Sequence, residues 1–361
     1  MPNVGKSTLF NALTNTQAAQ AANYPFCTID PNVGKVAIPD MRLEKLAKVA
    51  ASAKIIGAQL EFVDIAGLVK GASEGAGLGN KFLSHIRQVS MIVQLVRCFD
   101  DSSREIITHV DGSVDPVRDI ETIETELLLA DIQTLSKKDG NSKKSANEQE
   151  LAARILKDLD KGIPARKFIL QPEEVASFRN FSLLTGKPML IVCNVPDSQL
   201  SGNKYTEAVQ QLLQKRKSED PEYVEEQGDV INVCSKLEEE VSLMDDPESR
   251  EQILQEYGLE KTGLSKIVAE SNRRLGLQTY YTVGPQEARA WQFPEGMLAP
   301  QAAGIIHTDF EKGFIKAETI SYDDYIACGG EQGAKEAGKL RLEGKEYVCQ
   351  DGDIFHFKFN V

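Results

Sequence analysis

The sequence begins with a loop-forming stretch, MPNVGKSTLF, in which Gly5, Lys6 and Ser7 precede a segment of helical periodicity. These three residues end the pattern G-x-x-x-x-G-K-[S/T], whose successive backbone N–H groups meet phosphates at a helix N-terminus. In this pattern the lysine reaches the β- and γ-phosphates and the hydroxyl of the last residue reaches Mg²⁺. The stretch therefore favours a loop–helix unit of an α/β domain that binds a nucleoside phosphate.

The order of segments favours the same fold class. Strand-like runs alternate with helical patterns from Lys35 to Ser235, which is typical of a parallel sheet in an α/β protein. The first glycine of the phosphate-loop pattern, and the strand that feeds such a loop, would precede Met1. We therefore expect this chain to lack the start of the motif.

The composition argues against two classes of protein. A formal net charge of -13 disfavours a uniformly basic nucleic-acid-binding protein but leaves room for a local basic face. No apolar run approaches the roughly 20 residues that a membrane span needs. The six cysteines form no C-x-x-C pair, so we expect reduced thiols in an intracellular protein.

A second phosphate-site motif follows a strand-like run that ends at Asp64. Asp64 and Gly67 form D-x-x-G, in which the aspartate contacts Mg²⁺ through water and the glycine N–H meets the γ-phosphate of switch-type nucleotide hydrolases. Thr28 lies in the loop NYPFCTIDPN, where a mobile switch is expected. We predict that its hydroxyl and carbonyl lie at Mg²⁺ and the γ-phosphate.

The residue after D-x-x-G bears on catalysis. Ras-type hydrolases have a glutamine there to orient the attacking water, whereas this chain has Leu68. Another polar group or a partner must then act, or hydrolysis is slow. His109, on the predicted loop after the fourth strand, is the candidate for proton or water handling, with Lys6 as the catalytic cation.

A base-binding loop is predicted where a buried strand ends at Asn194-Val195-Pro196-Asp197. This is the place of the N-K-x-D loop, whose aspartate accepts hydrogen bonds from guanine and whose lysine packs on the base. Val195 replaces that lysine, which puts guanine selectivity in doubt. Ser235 falls in the loop after the last strand, on the base side.

Two further regions differ in pattern. Residues 115–138 place Val117, Ile120, Ile123, Leu127 and Leu135 at helical spacing, and a second helical segment follows a polar stretch. This predicts an inserted helical hairpin. From about Gln278 short strands rich in aromatic and β-branched residues predict a separate β domain, with an Asp-Gly hairpin signal in QDGD.

Taken in order, these motifs and the C-terminal stretch from QTYYTVG to DGDIFHFKFNV resemble the YchF subfamily of the Obg-like P-loop hydrolases over essentially the whole chain. The resemblance implies a G domain (1–117 and 182–278), an inserted α-helical coiled-coil domain (118–181) and a β-grasp TGS domain (279–361). By position, Asn3, Val4, Gly5, Lys6, Ser7 and Thr8 match the phosphate loop. Ser7 and Thr28 match the metal ligands, and Val195 the position beside the base.

The resemblance also implies a function. It predicts a ribosome-associated hydrolase that binds Mg²⁺ and slowly hydrolyses ATP in translation or stress regulation, with RNA contact through the TGS and helical domains. Two alternatives remain open at this point: a GTPase, supported by Asp197, and a nucleotide-gated ribosome- or RNA-binding module without turnover. We expect a cytoplasmic protein, or an organellar one if a targeting segment precedes Met1.

Overall fold

The computed structural model describes residues 3–14, 32–65, 67, 78–100, 113–136, 145–219, 230–244 and 246–360, with backbone alone for 78–81 and 219. Their contacts divide the chain into two compact units. The first contains Met1–Gly34 and Glu61–Ile267, and the second contains Lys35–Leu60 and Val268–Val361.

Within the described ranges, two sheets lie wholly or partly in the first unit. Strands β1 and β3 pair with each other, and β4, β5 and β6 form a parallel sheet in that order. The register places Arg97 opposite Asn194, and Asn194 opposite Val233, so the carboxyl ends of the parallel strands are level. The bounds are β1 (Asn32–Ala37), β3 (Gln59–Asp64), β4 (Ile92–Arg97), β5 (Met189–Asn194) and β6 (Ile231–Val233).

The helices of this part of the chain lie wholly or, for α10, partly in the first unit. Their bounds are α1 (Lys6–Thr14), α3 (Leu78–Gln88), α4 (Pro116–Ser136), α5 (Ala146–Leu159), α6 (Val175–Phe181), α7 (Lys204–Glu219), α8 (Ser235–Ser242), α9 (Pro247–Glu256) and α10 (Gly263–Arg274). Among the helices that the structure describes, no helix combines the length and the apolar character needed to cross a bilayer.

The helices α4 and α5 form a pair, but α4 has two apolar faces rather than the single face that the spacing suggests. Ile123 and Leu127 pack with Leu184 and Met189 against the α/β core. On another face, Leu135 packs with neighbours in a cluster that includes residues of α5. The helical segment therefore belongs to the first unit, because one side of α4 is part of that unit's core.

The second unit is built on a sheet whose order, in the described part of the chain, is β10-β9-β11-β7-β8-β2. The bounds of its strands are β2 (Ile55–Ile56), β7 (Leu277–Val283), β8 (Ala288–Pro294), β9 (Phe314–Ser321), β10 (Arg341–Glu343) and β11 (Asp353–Phe359). Its helices are α2 (Met41–Val49), α11 (Ala299–Ile306), α12 (Thr308–Lys312), α13 (Tyr322–Ala327) and α14 (Glu331–Glu336).

The domain division differs from the predicted one at residues 35–60, which the sequence assigns to the G domain. Leu46 of α2 is fully buried in a cluster with Tyr281, Ile320 and Ile354, and β2 adds a parallel edge strand to β8. The physical reason is that the apolar side of α2 finds its partners on the C-terminal sheet. Periodicity predicts an amphipathic face but not what covers it.

The hairpin signal in QDGD is also misleading. Asp351 and Gly352 form a turn, but the segment before them forms no antiparallel ladder with β11. Instead β11 pairs antiparallel with β9 and parallel with β7. The Asp353 carboxylate accepts hydrogen bonds from the Gln350 backbone and the Tyr347 hydroxyl, which fixes the turn without a hairpin.

Candidate nucleotide-binding site

The phosphate-loop residues lie at the N-terminus of α1 with an unusual backbone conformation. Asn3 and Gly5 have φ values of 60° and 88°, both in the left-handed region. The Leu9 N–H donates to the Gly5 carbonyl at 3.0 Å, which starts the helix directly after the loop. When residues in the left-handed conformation occur in a loop, successive backbone N–H groups can point to the same side. An anion-binding loop requires this arrangement.

Gly5 has no room for a side chain. A Cβ atom at this position would lie 2.3 Å from Asn194 Nδ2 and 3.2 Å from Ser235 Oγ. The close approach and the positive φ both require glycine. The loop therefore fits tightly against the ends of β5 and α8.

Asn194 holds these parts together. Its Nδ2 donates to the Val4 carbonyl at 2.8 Å, and its Oδ1 accepts from the Ser235 backbone N–H at 3.0 Å. Val4 is buried in the core beside Val192 and Val233. The sequence predicts Asn194 in the base-binding loop, and this role stays a prediction. Its contacts join the phosphate loop to the loop after β6.

The two charged residues of the predicted phosphate site are paired. Lys6 Nζ donates to Asp64 Oδ1, and the Asp64 carboxylate is almost completely buried at the end of β3. The cation expected at the phosphates and the carboxylate expected near Mg²⁺ thus lie side by side. Two motifs far apart in the sequence therefore meet at one point.

The base-side residues have different surroundings. The Val195 side chain is 2% exposed and packs with Val96, Cys193 and Val209, so it is a core residue in this structure. Asp197 is exposed, and its Oδ1 accepts from the Ser198 N–H at 2.7 Å. Burial, and to a smaller extent the nearby Asp197 charge, raise the pKa of the Cys234 thiol beside Ser235.

Ser235 carries a feature that the sequence does not reveal. It is 3% exposed, and its Oγ has no hydrogen-bond partner among the residues described. A buried hydroxyl without a partner is costly by roughly 1–3 kcal/mol. Its place beside Gly5 and Asn194 makes it a group that a bound molecule or a water could satisfy.

Several predicted residues fall outside these contacts. Thr28, Leu68 and His109 lie outside the described residues. Ser7 and Thr8 lie in the first turn of α1 and are partly exposed. Gly67 is described without its two neighbours. The roles of these residues, and the base contact of Val195, stay predictions.

Two family models match the chain. Residues 1–138 match one described as "50S ribosome-binding GTPase". Residues 277–360 match the model of the C-terminal region of YchF-type GTPases, described as "Protein of unknown function (DUF933)". The first match contains Gly5, Lys6 and Asp64, and the second covers most of the C-terminal sheet.

Full-length relatives and a solved structure agree with these matches. The "Ribosome-binding ATPase YchF" of Bacillus subtilis (strain 168) is 48% identical, with 100% of this chain and 98% of that protein covered. The protein of the same description from Escherichia coli O157:H7 is 46% identical over equal shares. The "Structure of the Schizosaccharomyces pombe YchF GTPase" is 36% identical with a TM-score of 0.80 and covers 99% of this chain and 96% of that one. The chain belongs to the YchF family of P-loop nucleotide hydrolases.

Proposed function

We propose that this protein is a Mg²⁺-dependent hydrolase that binds ATP at the Gly5 loop, hydrolyses it slowly and acts on the ribosome. The observation that supports it best is the meeting of Lys6, Asp64 and the Gly5 loop at one end of the α/β unit. The bacterial relatives, described as ribosome-binding ATPases, support the same activity and partner.

The donor set fits a phosphate-bound magnesium ion. Mg²⁺ takes oxygen ligands and keeps several waters, so one hydroxyl, one or two carboxylates and phosphate oxygens suffice. Ser7 would supply the hydroxyl, Asp64 a carboxylate, and Thr28 a further oxygen. When bound, the ion neutralises charge on the phosphate oxygens. The chain itself holds the triphosphate on backbone N–H groups and on Lys6.

The base preference rests on the loop after β5. Val195 stands in the place of the lysine, so no long side chain is available to cover a base at this position. The Asp197 carboxylate accepts a hydrogen bond from the backbone N–H of the next residue, Ser198. We expect adenine to bind at least as well as guanine. Competition of ATP and GTP for a fluorescent nucleotide on the purified protein, followed by Mg²⁺-dependent turnover of each, tests this.

A GTP preference of about tenfold or more, ~1.4 kcal/mol, would favour the GTPase alternative. The Schizosaccharomyces pombe relative, described as a GTPase, gives that alternative its support. Tight binding of either nucleotide with no turnover above a Lys6→Ala background would favour a nucleotide-gated module.

His109 is proposed to help the attacking water, because Leu68 cannot. His109 follows β4 in the sequence, and ligands of open α/β sheets bind outside the carboxyl ends of the strands. Positioned acid–base help contributes roughly 10²–10⁴-fold. His109→Ala should therefore lower ATP turnover at least about tenfold while ATP affinity stays nearly unchanged. Wild-type turnover in this variant would exclude the role, and His85→Ala on α3 is the matched control.

Contact with ribosomal RNA is proposed for the C-terminal unit and for the helices α4 and α5. Lys335 and Lys345 are exposed in a basic stretch of the otherwise acidic chain. Two other cations of this stretch are partly neutralised: Lys339 pairs with Asp324 at 3.1 Å, and Arg341 with Asp353 at 3.3 Å. A ribosomal partner also implies cytoplasmic localisation, or an organelle that has its own ribosomes.

A further inference from the structure

The residues between the two predicted switch motifs, Lys35–Leu60, belong to the C-terminal unit rather than to the nucleotide-binding unit. We call them the coupling segment. Thr28 precedes the segment by a few residues, and Asp64 follows it closely. The chain thus leaves the nucleotide-binding unit after one motif and returns to it just before the other.

Apolar packing anchors the coupling segment firmly. Leu43 and Leu46 of α2 are buried among Tyr281, Ala290 and Ile320 in one core cluster. Burial of such side chains stabilises by roughly 1.5–3 kcal/mol each. The coupling segment is therefore part of the core of the C-terminal unit and not a loop that lies on its surface.

Polar contacts fix the position of α2 on the sheet. Arg42 donates to both oxygens of Asp351, at 2.6 and 3.3 Å, and Asp351 also accepts from the Thr279 N–H at 2.9 Å. The Tyr281 hydroxyl donates to Asp40 Oδ2 at 2.5 Å. Burial, together with this hydrogen bond, raises the pKa of Tyr281, so the phenol stays protonated and remains a donor.

The second half of the coupling segment is fixed by backbone bonds. The Ala53 N–H donates to the Pro285 carbonyl at 2.9 Å, and the Ala288 N–H donates to the Lys54 carbonyl at 2.9 Å. Ser52 Oγ donates to the Gly284 carbonyl at 2.7 Å. These bonds hold the turn between β7 and β8 to the chain that leads into β3.

Both ends of the coupling segment lie within paired strands. The boundary between the two units falls inside β1 and inside β3, and these strands pair with each other. The Ile38 N–H continues the pairing with a bond to the Ala58 carbonyl at 2.9 Å. Hydrogen bonds between its strands make a paired ribbon stiffer than two single chains.

The ribbon meets the phosphate-loop helix directly. Gly34 of β1 faces α1 so closely that a Cβ atom would lie 1.9 Å from Thr14 Cγ2. The other strand of the ribbon, β3, ends at Asp64, the partner of Lys6. One strand of the ribbon, β3, therefore ends at the predicted phosphate site, and the other, β1, packs against the C-terminal end of the helix that follows the phosphate loop.

From these contacts we propose that the coupling segment transmits the nucleotide state to the C-terminal unit, and partner binding at the C-terminal unit back to Lys6 and Asp64. The inference rests on the proposed nucleotide binding at the Gly5 loop. Such linkage is reciprocal: if ATP changes the affinity of the C-terminal unit for a partner, that partner changes the affinity for ATP by the same factor.

Hydrogen exchange of the full chain tests the proposal with two probes, Mg²⁺–ADP and Mg²⁺ with a non-hydrolysable ATP analogue. Amides of residues 38–58 should exchange at rates that differ by about fivefold or more between the two nucleotides. The double variant Arg42→Ala/Tyr281→Phe should reduce that difference and change the ratio of the two nucleotide affinities by about fivefold. Lys45→Ala, exposed on the same helix, should behave as the wild type.

Two measurements keep the test decisive. Thermal unfolding shows whether the double variant is folded at the assay temperature, and Tyr281→Phe alone removes one hydroxyl with the ring retained. Normal nucleotide binding with identical exchange of residues 38–58 in both states would overturn this inference alone. A wild-type chain that binds neither nucleotide would overturn the proposed function and this inference together.

Discussion

Lys6→Ala should abolish measurable ATP binding and lower turnover at least about 100-fold, the scale of losing one fixed donor to developing charge. Lys6 is the first residue of α1 and carries a full positive charge. The backbone N–H groups at the start of the helix carry only partial positive charges. Calorimetric titration of ATP with Mg²⁺ into wild type and variant measures the effect. Unchanged affinity would contradict the assignment of the Gly5 loop as a phosphate site.

The same substitution also acts on stability, because it leaves the Asp64 carboxylate without its ion partner. Asp64 is 3% exposed as a side chain and Lys6 is 32% exposed. We expect a cost of roughly 1–3 kcal/mol, below the range for a fully buried pair because Lys6 is partly solvated. Thermal unfolding should show this loss.

A second variant separates the two effects. Lys6→Ala/Asp64→Asn removes the uncompensated charge, so stability should return toward that of the wild type. ATP binding should not return, because the cation is still missing and the Asp64 carboxylate proposed for Mg²⁺ is lost as well. Recovery of binding together with stability would mean that Lys6 acts through the fold rather than on phosphate. Lys48→Ala, an exposed lysine of α2, is the control for loss of a positive charge.

The sequence predicts the α/β unit well because its signals are local. Buried strands such as β4 and β5 read as short apolar runs, and a strand-end aspartate or asparagine marks the carboxyl edge. The level ends of these strands then follow from parallel pairing. For this reason the sequence predicts Lys6 and Asp64 in one region, and the two side chains form an ion pair.

What the sequence could not predict depends on contacts between distant segments. The Asn194 side chain joins Val4 to Ser235 by hydrogen bonds. Gly5 lies close to the side chains of both Asn194 and Ser235. The residue types alone predict Asn194 in the base-binding loop and give no sign of these hydrogen bonds. Val195 is predicted beside the base, and its side chain is buried in the core, so its contact with a base stays a prediction. A strand-end position does not tell which way a side chain turns, since alternate residues face opposite sides.

The division of the chain shows the same limit on a larger scale. Residues 35–60 follow one nucleotide motif and precede another, so sequence order assigns them to the G domain. Their apolar face, with Leu43 and Leu46, is instead complementary to the C-terminal sheet. A domain boundary at residue 279 would mean that deletion of the β domain leaves a folded protein that still binds nucleotide. The structure gives a different expectation.

A chain that ends at residue 278 should aggregate and lose cooperative unfolding. It would expose the buried side of α2, and it would leave the Asp40, Arg42 and Ala53 contacts without partners. Exposed apolar patches of this kind drive association. Size-exclusion chromatography and thermal unfolding of the 1–278 chain measure the effect. A monomeric, cooperatively folded 1–278 chain with wild-type ATP affinity would contradict the division of the two units.

The complementary fragment gives the stricter test. Residues 268–361 alone lack α2 and β2, so Tyr281, Ala290 and Ile320 lose their covering side chains and β8 loses an edge neighbour. Loss of several buried large side chains costs about 2–5 kcal/mol each, which a unit of this size cannot sustain. The fragment should be unfolded, whereas residues 35–60 joined to 268–361 by a flexible linker should unfold cooperatively. The same fusion with Leu46→Asp should not fold, because the charge would be buried at the centre of the restored core.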